Sequence, residues 1–161
     1  MSIAAGDRAP GFTLAGVSGA GTDDEVERDF TLEEYRGTPV VLVFYPGDNT
    51  LVCTRQLNTY TSDISAFTDV GAQVLAISPQ DVESHTKFSC KQGTFAFPLL
   101  ADTDKAVGRS YDILGLGGLY RRSVFVIDAE GTVTYAHRSL VGATFRPTAE
   151  LIAAVRAASQ S

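Results

Sequence analysis

The sequence predicts an α/β fold, a central mixed sheet with helices on both faces, on three observations. Apolar runs of strand length recur at Val40–Phe44, Val74–Ile77 and Val124–Ile127. They lack the polar alternation of a sheet with one wet face, so both faces are expected to be covered. Segments of helical spacing separate the runs, and a turn with a further strand follows the last one, which closes the order with a hairpin.

Each element has its own signal. VVLVF at Val40–Phe44 stops at Pro46, and VLAI at Val74–Ile77 stops at Pro79. VFVI at Val124–Ile127 runs into Asp128-Ala129-Glu130-Gly131, and TVTYA at Thr132–Ala136 follows, the pattern of a hairpin. Leu57, Tyr60, Ile64 and Phe67 recur at steps of three and four and read as one helix face. Asp81–Gln92 follows Ser78-Pro79 with few breakers and reads as a second helix, and Lys105–Tyr111 as a short third. Leu151, Ile152, Val155 and Ala158 mark a C-terminal helix starting near Pro147 and Thr148. Gly16–Gly21 (GVSGAG) and Gly115–Gly118 (GLGG) read as loops. Parallel crossovers followed by a hairpin suit a thioredoxin-like layout, one of several α/β arrangements open to this order.

The length of 161 residues argues for one domain, 1–161. A net charge of -6 speaks against a nucleic-acid partner, which needs clustered Lys and Arg. No apolar run approaches the roughly 20 residues that span a bilayer, and Met1–Gly6 lacks the basic and apolar parts of a secretory signal. The expectation is a cytoplasmic protein without a membrane partner. His85 and His137 have no Cys or His at ligand spacing, so no metal site is expected, and His85 reads as a solvated helix residue. Gly16–Thr22 lacks the Lys of a phosphate loop, and the Gly115–Gly118 run does not join a strand to a helix as a dinucleotide loop would.

Two cysteines, Cys53 and Cys90, are too few for a disulfide scaffold. In a reducing compartment such thiols are either inert or redox-active. Cys53 lies between the strand ending at Phe44 and the helix carrying Leu57, in that helix's first turn. Unpaired N–H groups and the positive end of the helix dipole favour a thiolate there. Position alone leaves two readings, a small buried hydrophobe or a nucleophile.

The stretch Phe44-Tyr45-Pro46-Gly47-Asp48-Asn49-Thr50-Leu51-Val52-Cys53-Thr54 places Pro, Thr and Cys at the spacing of the peroxiredoxin active site, which it resembles. Gly6-Asp7-Arg8-Ala9-Pro10 with Phe12-Thr13-Leu14 looks like that family's opening, and Arg122–Asp128 (RSVFVID) like the strand carrying its active-site Arg. Cys53-Thr54-Arg55-Gln56-Leu57 is most similar to the bacterioferritin-comigratory, or Q-type, branch. The resemblance runs from about Gly6 to the C-terminal helix and implies a thioredoxin-like fold and a thiol-dependent peroxidase without cofactor.

It also implies roles. Cys53 attacks a peroxide oxygen and becomes a sulfenic acid. Arg122 holds the thiolate and stabilises charge on the leaving oxygen, Thr50 orients the peroxide, and Pro46 shields the pocket from water. Each has a plainer alternative: a surface ion pair for Arg122, as expected for Arg121, and a helix cap for Thr50. Many Q-type members carry a second Cys where this chain has Asn58, and no Cys lies near the C-terminus. That leaves Cys90 as the candidate resolving thiol, with Lys87 and Lys91 near enough to favour its thiolate, or else as a structural residue. The implied partners are hydrogen peroxide and alkyl hydroperoxides, with thioredoxin or a similar thiol as reductant, and the implied state is a monomer or weak homodimer. A one-cysteine enzyme using an external thiol and a peroxide sensor are the alternatives. The absence of Cys-x-x-Cys disfavours a thioredoxin, and the absence of Trp disfavours a glutathione-peroxidase site.

Overall fold

The computed structural model describes residues 3–139 and 145–159; residues 1–2, 140–144 and 160–161 of the expected 1–161 span lie outside the described residues. Seven strands form one mixed sheet in the order β2-β1-β5-β4-β3-β6-β7. They are β1 (Thr13–Ser18), β2 (Val26–Thr31), β3 (Val40–Phe44), β4 (Gln73–Ser78), β5 (Leu99–Ala101), β6 (Ser123–Ile127) and β7 (Val133–Arg138). The helices are α1 (Leu51–Ser62), α2 (Ile64–Asp69), α3 (Val82–Lys91), α4 (Ala106–Ser110) and α5 (Thr148–Ser159). β3 pairs in parallel with β4 and antiparallel with β6, and β6 forms the hairpin with β7. No helix among the described residues is long and apolar enough to cross a membrane.

The continuous apolar runs are explained by two cores. On one face Val41, Val43, Val124 and Val126 pack with Leu57, Tyr60, Phe88 and Val155 of α1, α3 and α5. On the other, Val40, Leu42, Phe44 and Phe125 pack with Phe12, Phe30, Val107 and Tyr111. Every residue of β3 and of β6 is therefore buried, whichever way its side chain points.

Two expectations are corrected. The expected loop over Gly16–Gly21 is half strand: Gly16 pairs with Arg28 of β2 and Leu100 of β5. A Cβ at Gly16 would stand 2.5 Å from the Leu100 side chain and 2.8 Å from the Leu99 carbonyl, so glycine is there for close strand approach. Gly19 and Gly21, at φ +66 and +82, do form the β1–β2 turn. The helix expected through Leu57, Tyr60, Ile64 and Phe67 is two helices, broken at Asp63. Asp63 has φ -97 and ψ 16, and its carboxylate accepts a bond of 2.7 Å from Thr148 at the start of α5.

The buried Asp102, just past β5, fixes the side of the sheet beside the site. Its carboxylate accepts from the amides of Val107 (3.1 Å) and Gly108 (2.8 Å) and from the hydroxyl of Tyr120, two residues ahead of Arg122. Burial and the adjacent carboxylate push the Tyr120 hydroxyl far up, so it stays a donor. Asp102→Ala would orphan these donors, and urea unfolding is expected to show a loss of about 2–4 kcal/mol. A loss under about 0.5 kcal/mol, the level of an ordinary surface substitution, would contradict that role.

Candidate active site

Beyond β3 the chain must turn sharply to start α1. Asn49 makes the turn at φ 63, a left-handed conformation that asparagine tolerates better than most residues. Thr50 follows at the N-cap, with φ -86 and ψ 152, but makes no side-chain cap bond. Its hydroxyl instead donates to the Gly47 carbonyl at 3.1 Å, which tightens the Gly47–Thr50 turn. Thr50 is thus the N-cap by its backbone position, without the side-chain bond of a capping threonine. Cys53 is the third residue of α1 and fully buried, at the positive end of a 12-residue helix.

Sheet register brings Arg122 to this point. Phe44, the last residue of β3, pairs with Ser123, the first of β6, so Arg122 stands beside the strand end that leads to Cys53. Arg122 is 4% exposed, which excludes the surface ion-pair alternative. Its Nη2 lies 3.1 Å from Cys53 Sγ and its Nη1 donates to Gln56 Oε1. Gln56 Nε2 donates to the Tyr60 hydroxyl at 3.5 Å, which donates to the Arg146 carbonyl at 2.6 Å. Burial pushes Tyr60 up to about 12, so it keeps its proton as a donor at neutral pH. The guanidinium is oriented from behind by a chain of buried groups, and it aims at sulfur. A guanidinium in this place sets a fixed positive charge and a hydrogen-bond donor against the sulfur.

A cavity of about 420 Å³ opens beside the pair, lined by Pro46, Tyr120, Leu116, Leu119 and Arg122. Pro46 and Arg122 therefore share one opening, while Cys53, fully buried, is reached through its contact with Arg122.

Cys90 is not in this cluster. It is exposed near the end of α3, and both cysteines are free thiols. The β1–β2 turn lies against it: a Cβ on Gly21 would meet Cys90 Sγ at 2.7 Å. Lys87, expected near the Cys90 thiol, pairs with Glu83 at 2.9 Å, and that carboxylate raises the lysine's pKa. Asn58, one turn and a half beyond Cys53, donates to Gln92 Oε1 at 3.1 Å, a direct tie between α1 and the end of α3. Arg121 is half-buried and donates to the Ser139 carbonyl at 3.3 Å rather than pairing at the surface.

The reading of His85 as solvated is wrong. His85 is fully buried, with Nδ1 2.8 Å from Asp48 Oδ2 and Nε2 2.9 Å from the Leu100 carbonyl. Its helix face turns toward the sheet, where these two acceptors offset the cost of burying a ring with two polar atoms. Sequence reasoning also assigned nothing to Asp48 or Gln56. Gln56 had a usable signal: it is the polar residue on the helix face that Cys53, Leu57 and Tyr60 share.

The model of the AhpC/TSA family matches residues 5–136. Peroxiredoxin Bcp of Xanthomonas campestris is 36% identical over 117 residues, covering 68% of this chain and 72% of that one. The solved peroxiredoxin Q of Xanthomonas campestris superposes with a TM-score of 0.75 at 32% identity, over 88% of this chain and 89% of that one. The reduced 2-Cys peroxiredoxin of Plasmodium vivax superposes at 0.87 with 24% identity, over 97% and 82%, a likeness of fold. This chain belongs to the AhpC/TSA family, among the peroxiredoxins of the Bcp and Q kind, which are thiol-dependent peroxidases.

Proposed function

We propose that this peroxidase reduces hydrogen peroxide and organic hydroperoxides at Cys53, forms a Cys53–Cys90 disulfide within the chain, and is recycled by thioredoxin or a similar dithiol. The observation that carries the first step is the 3.1 Å approach of Arg122 Nη2 to Cys53 Sγ at a helix start. The thiolate attacks the terminal peroxide oxygen and the O–O bond breaks. The departing oxygen takes a proton and leaves as water or alcohol, and Cys53 becomes a sulfenic acid. Arg122 stabilises the charge on both sulfur and leaving oxygen, the Thr50 hydroxyl orients the peroxide, and Pro46 keeps water from the opening.

In the second step Cys90 attacks the sulfenic sulfur, the S–S bond forms and water leaves. A thioredoxin dithiol then takes over the disulfide and returns both thiols. Support for Cys90 is its exposure on a helix tied to α1 through Asn58 and Gln92. Cys53 is buried, so the first turn of α1 has to unwind before the sulfurs meet, within the Cα range of about 4.4–6.8 Å that a disulfide accepts. The reading is of a cytoplasmic enzyme, where thiol reductants are supplied.

The test is peroxide consumption with thioredoxin and its reductase, joined to thiol mapping. One equivalent of peroxide is expected to leave no free thiol and a mass about two units lower, with peptides linked through Cys53 and Cys90. In Cys90→Ser the first oxidation keeps its rate while turnover with thioredoxin falls and sulfinic acid accumulates. Free Cys90 in the oxidised wild type, or a disulfide only between chains, overturns the resolving step in favour of an external thiol.

A further inference from the structure

A buried polar cluster links the turn ahead of Cys53 to the helix that carries Cys90. At its centre are Asp48 and His85, whose side chains are 1% and 0% exposed. Asp48 Oδ1 accepts from the Tyr45 hydroxyl at 2.7 Å, and Oδ2 from the Ser84 hydroxyl at 2.7 Å. The Asp48 amide donates to Gln80 Oε1 at 3.0 Å. Tyr45 is held protonated by burial and by Asp48, so it remains a donor. His85 Nε2 faces the Leu100 carbonyl at 2.9 Å and Nδ1 faces Asp48 Oδ2 at 2.8 Å, so both ring nitrogens are matched inside the protein.

Each partner depends on the other. Removing either leaves a buried polar group unmatched in a low-dielectric site. The cluster also holds something that needs holding. Asp48 is the residue before Asn49, whose left-handed backbone is less favoured than an ordinary turn and persists where neighbours fix it.

We propose that Asp48 and His85 are a positioning pair: they lock the Gly47–Thr50 turn to the first half of α3, and breaking the pair releases the Cys53 turn and the Cys90 helix together. The proposal rests on the Cys53–Cys90 disulfide reading for its second consequence. With the pair made, the turn presents Thr50 and Cys53 to peroxide. With it broken, the turn is no longer held to α3, the first turn of α1 is free to unwind, and the thiols can meet. The pair thus favours the first oxidation and opposes disulfide closure. Neither residue touches the peroxide; both act through the turn.

The experiment uses the reduced full chain and two variants, His85→Gln and Asp48→Asn. Asn at 48 can still donate to Nδ1 of a neutral ring, so its effect should be the smaller. Amide exchange in residues 48–53 and 82–90 is expected to rise together, about ten-fold in His85→Gln, with β6 and β7 unchanged. Rapid mixing with hydrogen peroxide is expected to show a first step slower by about ten-fold in His85→Gln and about three-fold in Asp48→Asn. The following closure to the disulfide should be faster, and more peroxide should be needed to reach sulfinic acid. A merely structural pair would lower the melting temperature without dividing the two steps in opposite directions. The proposal is overturned if one segment opens without the other, or if the first step keeps its rate in both variants. If the disulfide reading itself fails, wild type shows a persistent Cys53 sulfenic acid, and the exchange and first-step results then decide the pair alone.

Discussion

Cys53→Ser is expected to remove peroxidase turnover entirely, with thioredoxin and its reductase in excess. The alcohol of serine is far less acidic than a thiol, and a helix start with one guanidinium does not make it an effective nucleophile. The variant should keep its fold, because Ser fills nearly the same volume and its hydroxyl can accept from Arg122, which faces Cys53 Sγ. Circular dichroism and urea unfolding test that separately. Turnover above about a thousandth of wild type, roughly 4 kcal/mol of barrier, would place the reaction elsewhere. Cys90→Ser provides the contrast, because it should lose turnover with thioredoxin but still consume one equivalent of peroxide.

Arg122→Lys is expected to slow the first oxidation by at least about ten-fold, equivalent to about 1.4 kcal/mol or more of transition-state stabilisation. Arg122 contacts Cys53 Sγ through Nη2 while Gln56 holds Nη1, a two-point arrangement. A lysine ammonium offers a point charge and cannot keep both contacts in one plane. It would also be buried with fewer hydrogen bonds than guanidinium, so part of the effect should appear as lost stability. The rate is read as sulfenic acid formation under single-turnover conditions, where recycling does not contribute. Arg121→Lys should change little, because the Arg121 side chain donates to the Ser139 carbonyl, whereas Arg122 is the residue that meets Cys53 Sγ. Equal effects at both positions would mean that the pairing of Arg122 with Cys53 is not the catalytic one.

Part of the candidate site was legible in the sequence. The spacing of Pro46, Thr50 and Cys53 lies along one strand-turn-helix unit, but it gained its meaning from resemblance to the peroxiredoxin motif. Arg122 was legible only through family resemblance, because nothing in its own neighbours points to a residue 69 positions away. The burial of His85 and the tasks of Gln56 and Asp48 were not legible. Their partners come from other segments: Leu100 and Asp48 for His85, Arg122 for Gln56, Ser84 and His85 for Asp48. A polar residue on a helix looks the same in sequence whether its face meets water or a matched acceptor.

What the sequence by itself determined is the set of elements whose signals are short-range. These are the apolar runs of β3, β4 and β6, the helix periods, and a cysteine in a helix's first turn. The N-terminal hairpin escaped because Gly16 was read as loop chemistry, whereas it is required by the closeness of β2 and β5 on either side. The break at Asp63 escaped the helix period, which continues through it, and the carboxylate there is held by a hydroxyl 85 residues away. Only the tertiary structure decided which polar groups are buried together, because the energy of a buried hydrogen bond depends on its partner and on the exclusion of water. Both are set when the sheet register and the packing of α1 and α3 bring distant segments into contact, and neither is carried by the residue alone.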